Sequence, residues 1–183
     1  MDIIPIFEKN YPRQTCILWA VKYTKHAKDE VARLFDLWND IAYLRNFFKE
    51  NESDLMRDFW QPMTINQAIS KTIREATLLE ERLIEIEDSA QENNLLFLNE
   101  LFQPLSKNEY HCKPPQKVKG KMPDKNPFLR FYGLRLDEDQ LLITGGGIKL
   151  TDTMQGSQHL KDELSKIEMV KTYLKENQIS YNE

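Results

Sequence analysis

Residues 128 to 151, FLRFYGLRLDEDQLLITGGGIKLT, constrain the fold more than any other stretch of the chain. Two runs rich in apolar, aromatic and β-branched residues flank the polar turn DEDQ, so the stretch reads as strand, turn, strand. Strands joined by so short a turn lie antiparallel. The hairpin also carries arginines, a tyrosine, three glycines and a lysine. The question it raises is whether these groups decorate an ordinary hairpin or line a site.

The rest of the chain supplies a further strand or two and several helices. CILWAVKYT (16–24) reads as a strand, and IIPIF (3–7) as one before it that Pro5 confines to a sheet edge. In 27–51, Val31, Leu34, Phe35, Trp38, Ile41 and Leu44 form one apolar helical stripe, with a break expected at Asn39-Asp40. Residues 51–63 read as irregular. Thr64 caps a long helix over 65–93, whose stripe runs through Ile65, Ala68, Ile69, Thr72, Ile73, Ala76, Leu79, Leu83 and Ile86. Glu80, Glu81, Glu85, Glu87 and Asp88 are expected on its outer face.

A short segment, LLFLNELFQPL, leads into KPPQKVKGKMPDKNP (113–127), where four prolines and a glycine predict a mobile loop without regular structure. A last amphipathic helix is expected over 159–177, burying Leu160, Leu164, Ile167, Val170 and Leu174. The order predicts an α+β fold in one domain spanning 1–183, with 1–97 supplying strands and helices and 98–183 the loop, hairpin and final helix. An antiparallel sheet of about four strands is expected, with 101–111, 128–136 and 140–149 as neighbours and the helices on one face.

Composition narrows the function classes. No apolar run approaches the roughly 20 residues of a membrane span. MDIIPIFEKN lacks a basic leader followed by a long apolar core, so no signal peptide is expected, and the expected compartment is the cytoplasm. Cys16 and Cys112 are too few for a disulfide scaffold and lack metal-ligand spacing. His26, His111 and His159 are scattered, so neither a metal nor a cofactor is expected. Thr-Gly-Gly-Gly (144–147) fits neither a dinucleotide fingerprint nor a phosphate loop, because strand rather than helix follows it. Glycines within a strand mark a bulge or a close approach, and here they could leave room for a ligand against the sheet.

Charge is unevenly spread. The formal net charge is −4, yet the stretch from Lys107 to Arg135 alone carries +6. A basic block on an acidic chain suits an anion, of which nucleic acid is the commonest large one; the alternative is a solvated basic loop. Arg130 and Tyr132 are two apart and leave the same face of a strand, whereas Arg135 has the opposite parity unless a bulge intervenes. Lys149 sits near the end of the partner strand. Lys113, Lys117, Lys125 and Arg135 are candidate phosphate contacts, and Tyr132 could stack on an unpaired base. For Tyr132 taken alone, a place in the core is the favoured reading.

A basic loop, this hairpin, a Thr-rich linker and a terminal helix together resemble the HigB-like branch of the RelE/ParE toxin superfamily over residues 98–177. Arg130 matches the arginine of the family's first hairpin strand, and Lys149 the basic residue ending the second. The chain departs from the pattern in being nearly twice the usual length, in its Gly-Gly-Gly run, and in lacking the C-terminal tyrosine or arginine of the RelE type.

The resemblance implies a RelE-like sheet packed by a two-helix hairpin and a C-terminal helix. It also implies the toxin of a type II toxin-antitoxin system, a metal-independent endoribonuclease cutting mRNA on the ribosome. Its expected partners are RNA and an antitoxin of helix-turn-helix type. The implied catalytic set is Arg130 and Lys149 for the phosphate, Lys119 and Lys121 completing a cationic wall, and His159 as acid or base, with a lysine of depressed pKa as the alternative. The rival reading is a non-catalytic RNA- or protein-binding module that keeps a degenerate toxin fold.

Overall fold

The structure, a computed structural model, describes residues 1–6, 17–56, 62–90, 96–111, 113–123, 126–151 and 153–177. Its framework is a six-stranded mixed sheet in an α+β chain, larger than the expected four strands. The strands are β1 (Asp2–Pro5), β2 (Leu18–Lys22), β3 (Phe102–Pro104), β4 (Gln116–Gly120), β5 (Leu129–Arg135) and β6 (Leu141–Ile148), in the spatial order β1-β2-β6-β5-β4-β3.

The hairpin forms as expected. β5 and β6 pair antiparallel, and the turn closes with Leu136 N donating to the Gln140 carbonyl at 2.8 Å. The register shifts between Tyr132 and Gly133, so Thr144 is the extra residue of a bulge on β6. β1 sits at the sheet edge, where Pro5 is tolerated. β2 runs parallel to β6, so the sheet is not wholly antiparallel. The chain between β2 and the later strands is long enough to form helices and return, which is what a parallel neighbour requires.

Two strand expectations are corrected. Residues 101–111 supply only the short β3, and Lys107–His111 form a 3-10 turn. The stretch expected to be a loop contains β4, which pairs with β5 on one side and β3 on the other. Its prolines flank β4 rather than interrupt it, and Gln116–Gly120 keep every backbone donor the two ladders need.

The helices lie on both faces, not one. On the first face sit α1 (Glu30–Asn39), α2 (Ile41–Glu50), the short α3 (Glu52–Leu55), α4 (Ile65–Ala90) and α5 (Leu96–Leu101). Their Leu34, Trp38, Leu44, Leu55, Leu79, Leu83, Ile86 and Leu98 share a cluster with Leu18, Leu129, Phe131 and Ile143 of the sheet. On the second face α6 (Gln158–Glu176) packs Leu160, Ile167, Val170 and Leu174 against Val21, Tyr132, Leu134 and Leu142. β5 explains the arrangement: Leu129 and Phe131 point one way, Tyr132 and Leu134 the other, and both apolar faces need cover.

Local chemistry sets the helix ends. Asp40 breaks the expected stripe by capping α2, its Oδ1 accepting from Ala42 N at 2.8 Å and Tyr43 N at 3.1 Å. Ile41 consequently lies 54% exposed, outside the stripe. Thr64 and Gln67 form a reciprocal capping box at the start of α4. The α4 stripe is buried as expected except for Ile65 and Ile73, which are half-buried, and Glu87 is not on the outer face: it is 7% exposed and accepts from Leu18 N at 2.8 Å. Glu75 turns inward likewise, accepting from Phe128 N at 2.7 Å and Leu129 N at 3.0 Å while its other oxygen meets Lys71 at 2.8 Å. Both carboxylates accept from backbone N–H groups at the start of a strand, β2 for Glu87 and β5 for Glu75. Residues 91–93, expected to extend α4, lie outside the described residues, as do Phe7, Cys16 and Cys112.

Candidate functional site

β4 and β5 place Lys119 directly opposite Tyr132. Cross-strand partners share a face, and so do residues two apart, so Lys121 and Arg130 join them on the α6 side of the sheet. Lys149 follows β6, tied by its backbone N to the Phe128 carbonyl at 2.8 Å, and falls on the same face. The five side chains line one cleft of about 450 Å³. Leu105, Ser106, Thr153, Met154 and Leu164 complete its walls, and none of the ten lining residues is acidic. Strand parity predicts Arg130 and Tyr132 on one face, and the family resemblance adds Lys119, Lys121 and Lys149; the other wall residues come from segments far apart in the chain and were not expected in a site.

Each polar group has a definite environment. One Arg130 guanidinium nitrogen donates to the carbonyls of Pro127 at 2.7 Å and Leu129 at 2.8 Å, which aligns the side chain along the cleft floor. Burial pulls its pKa down, but arginine starts so high that it stays charged. Lys149 donates to the Thr151 carbonyl at 2.5 Å. Lys119 is half-buried and donates to the Leu105 carbonyl at 3.3 Å. Burial, and then the charges of Lys121 and Arg130, hold its ammonium below the usual lysine value.

Tyr132 is 1% exposed with its ring in the core, so it presents no face on which a base could stack. Its hydroxyl is buried and has no hydrogen-bond partner among the described residues. Burial pushes its pKa up, opposed by nearby Arg130, and the phenol is neutral at ordinary pH.

The other candidates stand apart. Lys117 turns to Glu168 of α6, with Glu109 at 3.9 Å. Arg135 keeps the opposite parity, because the bulge lies on β6 and not β5; it donates to the carbonyls of Glu138 at 3.0 Å and Phe102 at 3.3 Å. Lys113 is exposed and lines no part of the cleft, and Lys125 lies outside the described residues. His159 lines no part of it either. Its Nε2 meets the Ile148 carbonyl at 2.7 Å, so that nitrogen carries the proton, and Nδ1 accepts from the Ser157 hydroxyl at 2.6 Å. The ring edge rests on Phe47 at 5.3 Å, and the residue pins the start of α6 to the end of β6.

The glycine run leaves room for helices rather than for a ligand. A Cβ on Gly145 would lie 1.9 Å from Glu163 Oε2, and one on Gly146 would meet Leu34 at 2.9 Å. Glu163 occupies that space as part of a buried network. Lys166 bridges it at 2.7 Å to Glu30 at 2.9 Å, and Arg33 holds Glu30 through Nε at 2.7 Å. Among the described residues, no group of three or more His, Cys, Asp or Glu side chains could hold a metal ion, and no helix is long and apolar enough to cross a membrane.

No protein-family model matches the chain, and no curated protein or solved structure matches it.

Proposed function

We propose that the chain is a RelE/HigB-like toxin, an endoribonuclease that cuts mRNA in the cytoplasm and is restrained by a cognate antitoxin. One observation carries this reading: Lys119, Lys121, Arg130 and Lys149 converge on one cleft whose lining, among the described residues, contains no carboxylate. Such a cleft attracts phosphate and repels none of it. The element order agrees with the resemblance, since helices separate β2 from the meander β4-β5-β6 and α6 follows β6.

The chemistry follows from these groups. The 2′-hydroxyl of one nucleotide attacks its own 3′-phosphorus, and the bond to the 5′-oxygen of the next breaks. The products are a 2′,3′-cyclic phosphate and a 5′-hydroxyl. Arg130 and Lys149 stabilise the charge that builds on the phosphoryl oxygens. Lys119 exchanges the proton, because a lysine held below its usual value releases one more readily than an ordinary lysine does. This role passes from His159, both of whose ring nitrogens are engaged outside the cleft.

Expression of the chain should arrest growth, and purified protein should cut mRNA on supplied ribosomes. Arg130→Ala and Lys149→Ala should each lower cleavage about a hundredfold or more while weakening RNA binding far less. Circular dichroism checks that both variants fold. Full cleavage by the double variant would remove the catalytic assignment. RNA binding without any cleavage by the wild type would leave a binding module in its place.

A further inference from the structure

The cleft gathers four cations, which RNA balances only by bringing flanking phosphates beside the scissile one, whereas a compact polyanion balances them by itself. The scissile diester carries a single negative charge, against four cations and, among the described residues, no acid in the lining. A phosphomonoester carries about 1.5 to 2 charges near neutral pH, and two linked phosphoryl groups carry more. About 450 Å³ lies within the range of small-molecule sites and is roomy enough for a nucleotide bearing more than one phosphate.

Tyr132 is the second, independent observation. Its hydroxyl is buried, unpartnered among the described residues and set in the wall of this cleft beside Arg130. A buried hydroxyl left without a partner costs stability, and a phosphate oxygen would accept its proton. The cleft thus offers a buried hydroxyl donor beside its cations, and among the described residues no protein acceptor takes it.

We infer that the cleft binds a compact phosphate polyanion, a free nucleotide with two or more phosphoryl groups, in competition with RNA. The inference rests on the reading above that this cleft is where RNA binds. The ligand's phosphates span Lys119 and Lys121 on one side and Arg130 and Lys149 on the other, with the Tyr132 hydroxyl donating to one of their oxygens. RNA and free nucleotide share the phosphate chemistry, and they differ in whether a second strand-linked phosphate is needed.

The test titrates inorganic pyrophosphate into the full chain by calorimetry at constant ionic strength, with orthophosphate alongside. One pyrophosphate should bind per chain, at least about tenfold tighter than orthophosphate, since each added charge-assisted contact is worth roughly that factor. Lys119→Gln with Lys121→Gln should weaken it about a hundredfold on the same basis. Tyr132→Phe keeps the ring packing and should weaken it about fivefold to tenfold. Adenosine diphosphate should bind at least as tightly as pyrophosphate and should block RNA binding. No pyrophosphate binding at millimolar concentration, or equal affinity in wild type and the lysine variant, overturns the inference. RNA cleavage that pyrophosphate does not inhibit would discard it while leaving the ribonuclease reading intact. Pyrophosphate binding with these sensitivities in a protein that neither binds nor cuts RNA would uphold it and sink the ribonuclease reading instead.

Discussion

At the scale of single residues, Glu163 shows how burial and pairing compete. It donates its space to nothing else: Gly145 has no side chain so that this carboxylate can lie against the sheet. Burial pushes its pKa up, and the ion pair with Lys166 only partly offsets that. Glu30 has the opposite fate. Burial pushes it up too, but hydrogen bonds from Arg33 and Lys166 win and hold it below the ordinary carboxylate value. The two residues therefore act on stability with opposite signs. Glu30 contributes stability above its unfolded value of 4.5, which is lost as pH falls through its folded value. Glu163 is protonated more readily when folded, so its ionisation costs stability once pH rises above 4.5. Replacing Glu163 by Gln removes that cost. The melting temperature of Glu163→Gln should exceed that of wild type at pH 7 to 8, by about 2–4 °C for each kcal/mol relieved, and the gap should close towards pH 4. A variant that is less stable than wild type at pH 8 and equal to it at pH 4 would mean that the ion pair outweighs burial.

At the scale of elements, α4 was the most legible part of the chain and β4 the least. The α4 stripe repeats for about six turns with a capping box at its start, so periodicity alone located it. Glu75 and Glu87 escaped that reading because a carboxylate facing inward is recognisable only once the backbone donors it serves are in place. β4 has a single buried aliphatic side chain, Val118, between lysines, and its identity as a strand comes from β5 and β3 on either side. The second helical layer follows from β5 and β6 being apolar on both faces, a pattern that an expectation of helices on one face leaves out. Docking of α4 is tested by charge. Leu79 is fully buried and Ile73 only partly so. Leu79→Asp should lower the unfolding free energy by about 3 kcal/mol or more, and Ile73→Asp by clearly less, as read from urea denaturation. Equal effects at the two positions would mean that α4 is rotated from the orientation described here.

At the scale of the whole molecule, folding converts a diffuse basic block into a small focused one. Eight cations lie between Lys107 and Arg135. Of these, Lys117 pairs with Glu168 and Glu109, and Arg135 serves backbone carbonyls. Lys119, Lys121 and Arg130 reach the cleft, where Lys149 from outside the block joins them. The remaining charge of the chain is acidic, so a long anion is attracted at this cleft and repelled over much of the rest. That arrangement predicts a modest and local electrostatic footprint for RNA. With four cleft cations each meeting one phosphate, the logarithm of the binding constant should fall with the logarithm of salt at a slope near −2.8, from about 0.7 per contact on a single strand. Exchanging Lys119 and Lys121 for Ala should flatten the slope by about 1.4, whereas Lys117→Ala and Arg135→Ala should leave it unchanged. A slope that steepens towards −5 in the wild type, and that Lys117→Ala flattens as much as Lys119→Ala does, would show RNA spread along the whole basic block instead of seated in the cleft.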